Sequence, residues 1–467
     1  MRLAVASTFP RLVIAGTHSG VGKTSVVLAI LGALRQRGRH VQGFKVGPDF
    51  IDPMYHREVT GAPSYNLDPW LMGHEGVRRA FARVAPADGV SIIEGVMGMF
   101  DGRATGPEGS TGEVAANLQA PVLLVVDVGG MSRSAAATVQ GYARFDPDVQ
   151  VAGVVLNRVG GMRHYQLVKT AIEELAGIPV WGYLAWDEAL VLPERHLGLV
   201  PVEEDPTFQQ VCVALGEAAG RTIDLDAVLN AAHTAPSLAV SIPATEAPPP
   251  VRVRIGVARD AAFNFYYAAN LLWLRHWGAE IVEFSPMTDA DLPSEIDALY
   301  FGGGFPEVFA KPLAENRLFL TALRQAHRAG MPMYAECGGL MYLVEAIHDR
   351  AGQRYPMAGL LPGVCRLTDR LQNFGYKEVL SLRDSLLGPA GWRSRGHEFH
   401  YSLWEGRPPH ASLYRTRSSH GDERDEGYSV GPLTASYVHL HFDACPGVAQ
   451  ALIGHAVGFR QHRMRES

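Results

Sequence analysis

The segment Gly16-Thr17-His18-Ser19-Gly20-Val21-Gly22-Lys23-Thr24 follows the apolar run Leu12–Ala15 and leads into a helical pattern. A strand, a glycine-rich loop, Lys-Thr and a helix make a phosphate cradle. Glycines such as Gly16, Gly20 and Gly22 let backbone N–H groups approach phosphate oxygens; Lys23 supplies a point charge, and the Thr24 hydroxyl can ligate magnesium. The loop departs from the ordinary spacing, because Gly16 comes one residue early and Thr17 stands where the first glycine belongs. A plain strand-to-helix turn is the alternative, but it leaves the Gly-Lys-Thr ending unexplained. ATP or GTP binding by a variant loop is expected.

Acidic groups follow. In Lys45-Val46-Gly47-Pro48-Asp49-Phe50-Ile51-Asp52-Pro53, two carboxylates three residues apart come just after an expected strand. Isolated, they would read as turn and cap formers beside proline. Ile92-Ile93-Glu94-Gly95-Val96-Met97-Gly98-Met99-Phe100-Asp101-Gly102 changes that balance by placing Glu94 at another strand's C-terminal end, where ligands and metals collect in open α/β sheets. Leu156-Asn157-Arg158 ends a further strand, and Asn157 can read a nucleotide base.

A different chemistry appears in the second half. Met333-Tyr334-Ala335-Glu336-Cys337-Gly338-Gly339-Leu340-Met341-Tyr342-Leu343 reads as a strand, a sharp turn at Cys337 and an amphipathic helix. A thiol at a helix N-terminus is expected to have a lowered pKa. A lone cysteine is more often buried and inert, but two further motifs favour a nucleophile. Tyr300-Phe301-Gly302-Gly303-Gly304-Phe305-Pro306-Glu307 offers N–H groups to a developing oxyanion, a donor of that kind being worth ~3–4 kcal/mol. Ser436-Tyr437-Val438-His439-Leu440-His441-Phe442-Asp443 offers general bases far away in sequence, which is how a thiol nucleophile is completed. His439 and His441 would point the same way in a strand, so spacing does not choose between them. They could also be half a metal site, but no third ligand accompanies them.

Positioning these groups takes two α/β domains. Leu12–Ala15, Val90–Ile93, Val122–Val126 and Val151–Leu156 read as buried parallel strands, with Ser25–Arg37 and Arg163–Ala176 as crossover helices. The pattern restarts with a strand at Val251–Ala258, a helix at Tyr266–Trp277, and strands at Ile281–Phe284, Ala298–Phe301 and Pro332–Ala335. Residues 357–441 look more β-like. Pro248, Pro249 and Pro250 mark an extended linker, so the expected division is 1–235, a Pro-rich linker at 236–250, and 251–467. The length of 467 residues fits two such domains, and 47% hydrophobic with 19% charged residues is an ordinary globular balance. A net charge of −6 gives no global reason to bind nucleic acid. No apolar window approaches the ~18 residues of a membrane span. Four scattered cysteines without a CxxC pair indicate a reducing, cytoplasmic setting.

Together the motifs resemble the cobyrinic acid a,c-diamide synthase family and its hydrogenobyrinic acid counterpart, over nearly the whole chain. GTHSGVGKT, KVGPDFIDPMYH and EGVMGMFDG carry the likeness in the first half; GGGFPE, AECGGLMYL, RGHEFHYS and SYVHLHF carry it in the second. The resemblance implies an N-terminal P-loop domain of the dethiobiotin-synthetase type, whose longer loop matches the odd spacing, and a C-terminal class I glutamine amidotransferase domain. It implies amidation of the a- and c-acetates of a corrinoid, using ATP, glutamine and Mg2+, through acyl phosphates. By the same resemblance Cys337 is the nucleophile, His439 its base, and Gly303 and Gly304 lie near the oxyanion. Lys23, Thr24 and Lys45 handle phosphates, Glu94 and Asp52 join Thr24 on magnesium, and Asn157 meets adenine. Asp49, Phe50, Ile51, Asp52 and Asp101 position the corrinoid, with Arg57, Arg103, Arg158 and Arg163 as candidate partners for its carboxylates. One departure stands out: the glutamate usual two residues after the histidine is replaced by His441. The rivals are nickel-sirohydrochlorin a,c-diamide synthase, cobyric acid synthase and, in another class, a MinD/ParA-like nucleotide switch.

Overall fold

Branched apolar residues, closed off by Gly, Pro or Asp, become the parallel strands of the first half. The computed structural model describes residues 4–195, 198–241, 250 and 252–466, and the chain splits into two compact units, Met1–Ala244 and Thr245–Ser467. In the first unit a seven-stranded sheet runs Tyr65–Leu67, Val41–Val46, Val90–Glu94, Arg11–Gly16, Val122–Asp127, Val151–Val159, Val180–Ala185. Every pairing is parallel. Both faces are covered: Val13 and Ala15 join one core, Leu12 and Ile14 the other. Burying each such large aliphatic side chain contributes ~1.5–3 kcal/mol. Pairing sets Lys45 opposite Glu94 and Ile14 opposite Glu94, so the chemistry gathers at the C-terminal strand ends.

Arg11 is fully buried inside this sheet. Its guanidinium donates to the carbonyls of Leu118 at 2.7 Å, Phe9 at 2.9 Å and Pro236 at 2.8 Å. Leu238–Ser241, which composition assigns to the linker, form a strand antiparallel to Ala4–Ser7. Pro248 and Pro249 of that linker lie outside the described residues.

The second unit has a six-stranded sheet: Ala279–Phe284, Val253–Ala258, Ala298–Phe301, Met333–Glu336, Leu433–Ser436, Tyr428–Val430. Only the last pairing is antiparallel. A five-stranded antiparallel sheet stands beside it and includes Asn373–Ser381, Arg393–His400 and His439–Leu440, with His397 opposite His439. The segment after Cys337 differs from expectation. Its helix is only Gly338–Leu343, and all six residues are buried rather than amphipathic.

Candidate active sites

In the first unit, the phosphate loop opens on a cleft of about 750 Å³. Gly20, Gly22, Lys23, Thr24, Lys45, Asp49, Ile51, Asp52, Glu94 and Asn157 all line it. Gly22 has φ 91°, and a Cβ there would fall 2.1 Å from Asn157 Nδ2, so only glycine fits. Gly16 sits beneath the loop: a Cβ would meet Val21 at 2.4 Å and Lys23 at 2.8 Å, so it serves close packing rather than lining the cleft. Lys23 Nζ donates to the carbonyls of Met97 at 2.6 Å and His18 at 3.3 Å. Burial, helped by Lys45, brings its pKa down to about 8.

Behind the loop lies a buried charge cluster. Lys45 Nζ pairs with Asp52 Oδ2, with Glu94 Oε1 at 3.0 Å and with the Gly95 carbonyl at 3.0 Å. Burial works to lower the Lys45 pKa, but Asp52 and Glu94 outweigh it and raise it. Burial, Asp49 and Glu94 push Asp52 well above the carboxylate range, against the pull of Lys45. For Glu94, burial opposes the charge, yet Lys45 and hydrogen bonds from His56 and Thr24 hold the pKa below its usual range. Thr24 Oγ1 donates to Glu94 Oε1 at 2.7 Å. That spacing is close to neighbouring corners of an octahedron with bonds of about 2.1 Å, so this hard-oxygen pair fits magnesium. Asp52 is drawn to Lys45 instead. Among the described residues no cluster of three or more His, Cys, Asp or Glu could hold a metal alone, so the remaining positions suit phosphate oxygens and water.

Several expected contacts take other forms. Asn157 Nδ2 donates to the Val21 carbonyl at 2.9 Å, bracing the loop with the group expected to read a base. Asp49 Oδ1 accepts from the N–H groups of Ile51 at 2.7 Å and Asp52 at 3.3 Å, capping the helix Ile51–Thr60. Asp101 Oδ2 accepts from the Gly98 N–H at 2.9 Å and closes its own turn; neither it nor Phe50 lines the cleft. Of the four arginines only Arg158 does, tied to Asp127 at 2.6 Å. Arg57 and Arg163 are exposed, and Arg103 pairs with Glu108 at 3.2 Å. Two lining or supporting groups escaped the sequence reading. Trp186, whose ring lies 5.8 Å from the Arg158 guanidinium, forms an apolar wall with Leu184 and Leu190. His56 is fully buried and places Nε2 2.7 Å from Glu94 Oε2 and Nδ1 3.0 Å from Ser64 Oγ. Its spacing of four from Asp52 on one helix was the available signal.

In the second unit Cys337 has φ 45° and ψ −102°, a strained conformation for a residue with a Cβ. Its N–H donates to the Ser436 carbonyl at 2.8 Å, and its Sγ lies 3.9 Å from the Phe399 carbonyl. The glycines on both sides of the site interlock. A Cβ on Gly339 would lie 2.5 Å from the Phe301 oxygen, and one on Gly338 would lie 3.0 Å from Gly304 N. His439, 2% exposed, presents Cε1 and Nε2 to Gly303, where a Cβ would be 2.5 and 3.3 Å away. The fold thus brings Cys337, Gly303, Gly304 and His439 into one neighbourhood.

Two expectations need correction here. The thiol is raised rather than lowered: burial, then Glu307, outweigh the Gly338 N–H that helps the thiolate. A six-residue helix offers too little dipole to reverse that. Gly303 does not offer its N–H to an oxyanion, because it donates to the Phe265 carbonyl at 3.2 Å in a reciprocal bridge.

Comparison with known proteins adds the family. Residues 12–200 match the CobQ/CobB/MinD/ParA nucleotide binding domain, and residues 254–446 match the CobB/CobQ-like glutamine amidotransferase domain. A cobyrinate a,c-diamide synthase of Priestia megaterium is 45% identical over 92% of this chain and 94% of its own. Its counterpart from Listeria monocytogenes is 44% identical over 92% and 96%, and that of Dehalococcoides mccartyi 42% over 97% and 99%. The two α/β units, one with a phosphate loop and the other with a strained cysteine turn, are therefore those of a glutamine-dependent amidating ligase, and the chain belongs to the cobyrinate a,c-diamide synthase family.

Proposed function

We propose that this chain amidates the a- and c-acetate carboxylates of cobyrinic or hydrogenobyrinic acid, with ATP as activator and glutamine as nitrogen donor. The observation that carries the reading is that one chain builds both a phosphate loop backed by the Lys45-Asp52-Glu94 cluster and a strained cysteine elbow beside a histidine. The substrate comes from the name shared by the relatives.

In the first unit Gly20, Gly22, Lys23 and Thr24 hold the triphosphate, and the apolar wall at Leu184, Trp186 and Leu190 takes the adenine ring. A substrate carboxylate oxygen attacks the γ-phosphorus, ADP leaves, and an acyl phosphate forms. Lys23 and Lys45 balance charge developing on the transferred group. Thr24 and Glu94 are the residues that would hold magnesium, which supplies neutralisation of the phosphate oxygens. Ammonia then attacks the acyl carbon and phosphate departs, leaving the amide.

In the second unit His439 takes the Cys337 proton as the thiolate attacks the carboxamide carbon of glutamine. The Gly304 N–H is the oxyanion donor, since that of Gly303 is engaged. The proton passes to departing ammonia, and water hydrolyses the thioester to glutamate. A cytoplasmic setting suits the four free cysteines.

The test follows product mass with ATP, magnesium, glutamine and either acid. Two successive amidations, one ATP hydrolysed for each, are expected. Cys337→Ala should abolish the glutamine-driven reaction but keep the one driven by added ammonia. Intact glutaminase activity with neither corrinoid changed in mass would refute the substrate assignment.

A further inference from the structure

A histidine that serves a nucleophile is held in its tautomer and rotation by the partner of its other nitrogen. His441 occupies the position two after His439, but it faces elsewhere. Its ring packs on Tyr267 at 4.6 Å between centroids, and its Nδ1 accepts from the Asp443 N–H at 3.3 Å. Another carboxylate lies beside His439. Glu336 is 2% exposed and places Oε2 3.7 Å from His439 Nδ1. Three donors fix it there: the Tyr300 hydroxyl to Oε2 at 2.8 Å, and the Tyr334 hydroxyl and Leu440 N–H to Oε1 at 2.5 and 3.0 Å. Burial, with Glu336 adding to it, raises both phenols well above their usual range, so they stay donors.

We propose that Glu336 is the positioning residue of the glutaminase site, taking the place of the glutamate missing after His439. Its carboxylate receives the Nδ1–H of His439 and keeps Nε2 on the Gly303 side, toward the cysteine elbow. The inference rests on the Cys337–His439 reading given above. Because Glu336 directly precedes Cys337, one strand end carries both the thiol and the group that orients its base. Reaching hydrogen-bond length takes a movement of under about 1 Å, and such contacts commonly tighten when substrate binds.

The other titratable groups near His439 do not offer this. His397 and His400, from the strand Arg393–His400, are pushed down to about 3 by burial and stay neutral. Glu398, on the same strand, is paired with Lys377 at 3.6 Å and Arg424 at 2.5 Å.

The test is glutamate release by the full chain as a function of pH, in wild type, Glu336→Gln, Tyr300→Phe and Cys337→Ala. For Glu336→Gln, kcat should fall about tenfold or more with KM for glutamine little changed. The acid limb of kcat/KM, where protonation of His439 removes the base that takes the Cys337 proton, should move to lower pH. Tyr300→Phe frees Oε2 from its hydroxyl while leaving the Leu440 tether, so its acid limb should move to higher pH. A wild-type profile in folded Glu336→Gln overturns the proposal, whatever its kcat. Should that variant lose its thermal transition, an unmoved limb in Tyr300→Phe overturns the proposal instead. Glutamate release by Cys337→Ala would overturn the Cys337–His439 reading itself.

Discussion

With Nε2 2.7 Å from Glu94 Oε2, the buried His56 claims one oxygen of that carboxylate and leaves the other to Thr24 and Lys45. The orientation of Glu94 therefore depends on a ring that need not touch nucleotide. His56→Ala should cost about 1–3 kcal/mol, the usual penalty for leaving a buried acceptor unmade. It should also slow amidation driven by added ammonia about tenfold or more while glutamate release stays unchanged, because Cys337 belongs to the other unit. A thermal melt and the two assays on one preparation check this. Equal losses in both assays would mean that the ring matters only for folding.

At the scale of elements, the cysteine elbow depends on two glycine segments meeting backbone to backbone. A methyl at Gly339 would lie 2.5 Å from the Phe301 carbonyl oxygen and 2.9 Å from that of Gly302, neither of which is the end of a flexible side chain. Gly339→Ala should thus destabilise the second unit by ~1–3 kcal/mol and abolish glutamate release, with ATP binding retained. Calorimetry and nucleotide titration read the two effects separately. Apolar burial made some elements legible to the residue: the strand Ala298–Phe301 occupies the residues its hydropathy indicates, whereas the strand expected at Ile281–Phe284 begins at Ala279. Boundaries shifted where a charge is buried. Arg11 extends its strand one residue earlier than hydropathy suggests because three carbonyls satisfy it, and Glu336 extends the strand before Cys337 because two phenols do. Lys45 and Glu94 come together because parallel strands end side by side, which alternating strands and helices imply. Trp186, Glu336 and the bridge that occupies Gly303 depend on partners remote in the chain, so no local spacing announced them.

Over the whole molecule, buried titratable groups set how stability follows pH. In the second unit burial lifts Glu307 and Glu426 from 4.5 to about 7, and lowers His397 and His400 from 6.5 to about 3. A raised carboxylate contributes stability that is present below pH 4.5 and lost as pH rises through 7. A lowered histidine contributes stability that is present above pH 6.5 and lost as pH falls toward 3. Between about pH 5 and 7 the two pairs oppose each other, so the unit's denaturation midpoint should change little there and fall at more acidic pH. Glu307→Gln removes one of the two carboxylates, leaving Glu426 against two histidines, and should give a midpoint that drops as pH falls from 7 to 5; a flat profile in that variant would contradict the assignment. The first unit carries a different constraint. Arg11 gathers the carbonyls of Phe9 and Pro236, and Ala4–Ser7 pairs with Leu238–Ser241. Entry and exit of its chain thus share one seam, so a gene rearranged to join those ends by a short bridge and open a surface loop elsewhere should still encode a folded nucleotide-binding unit.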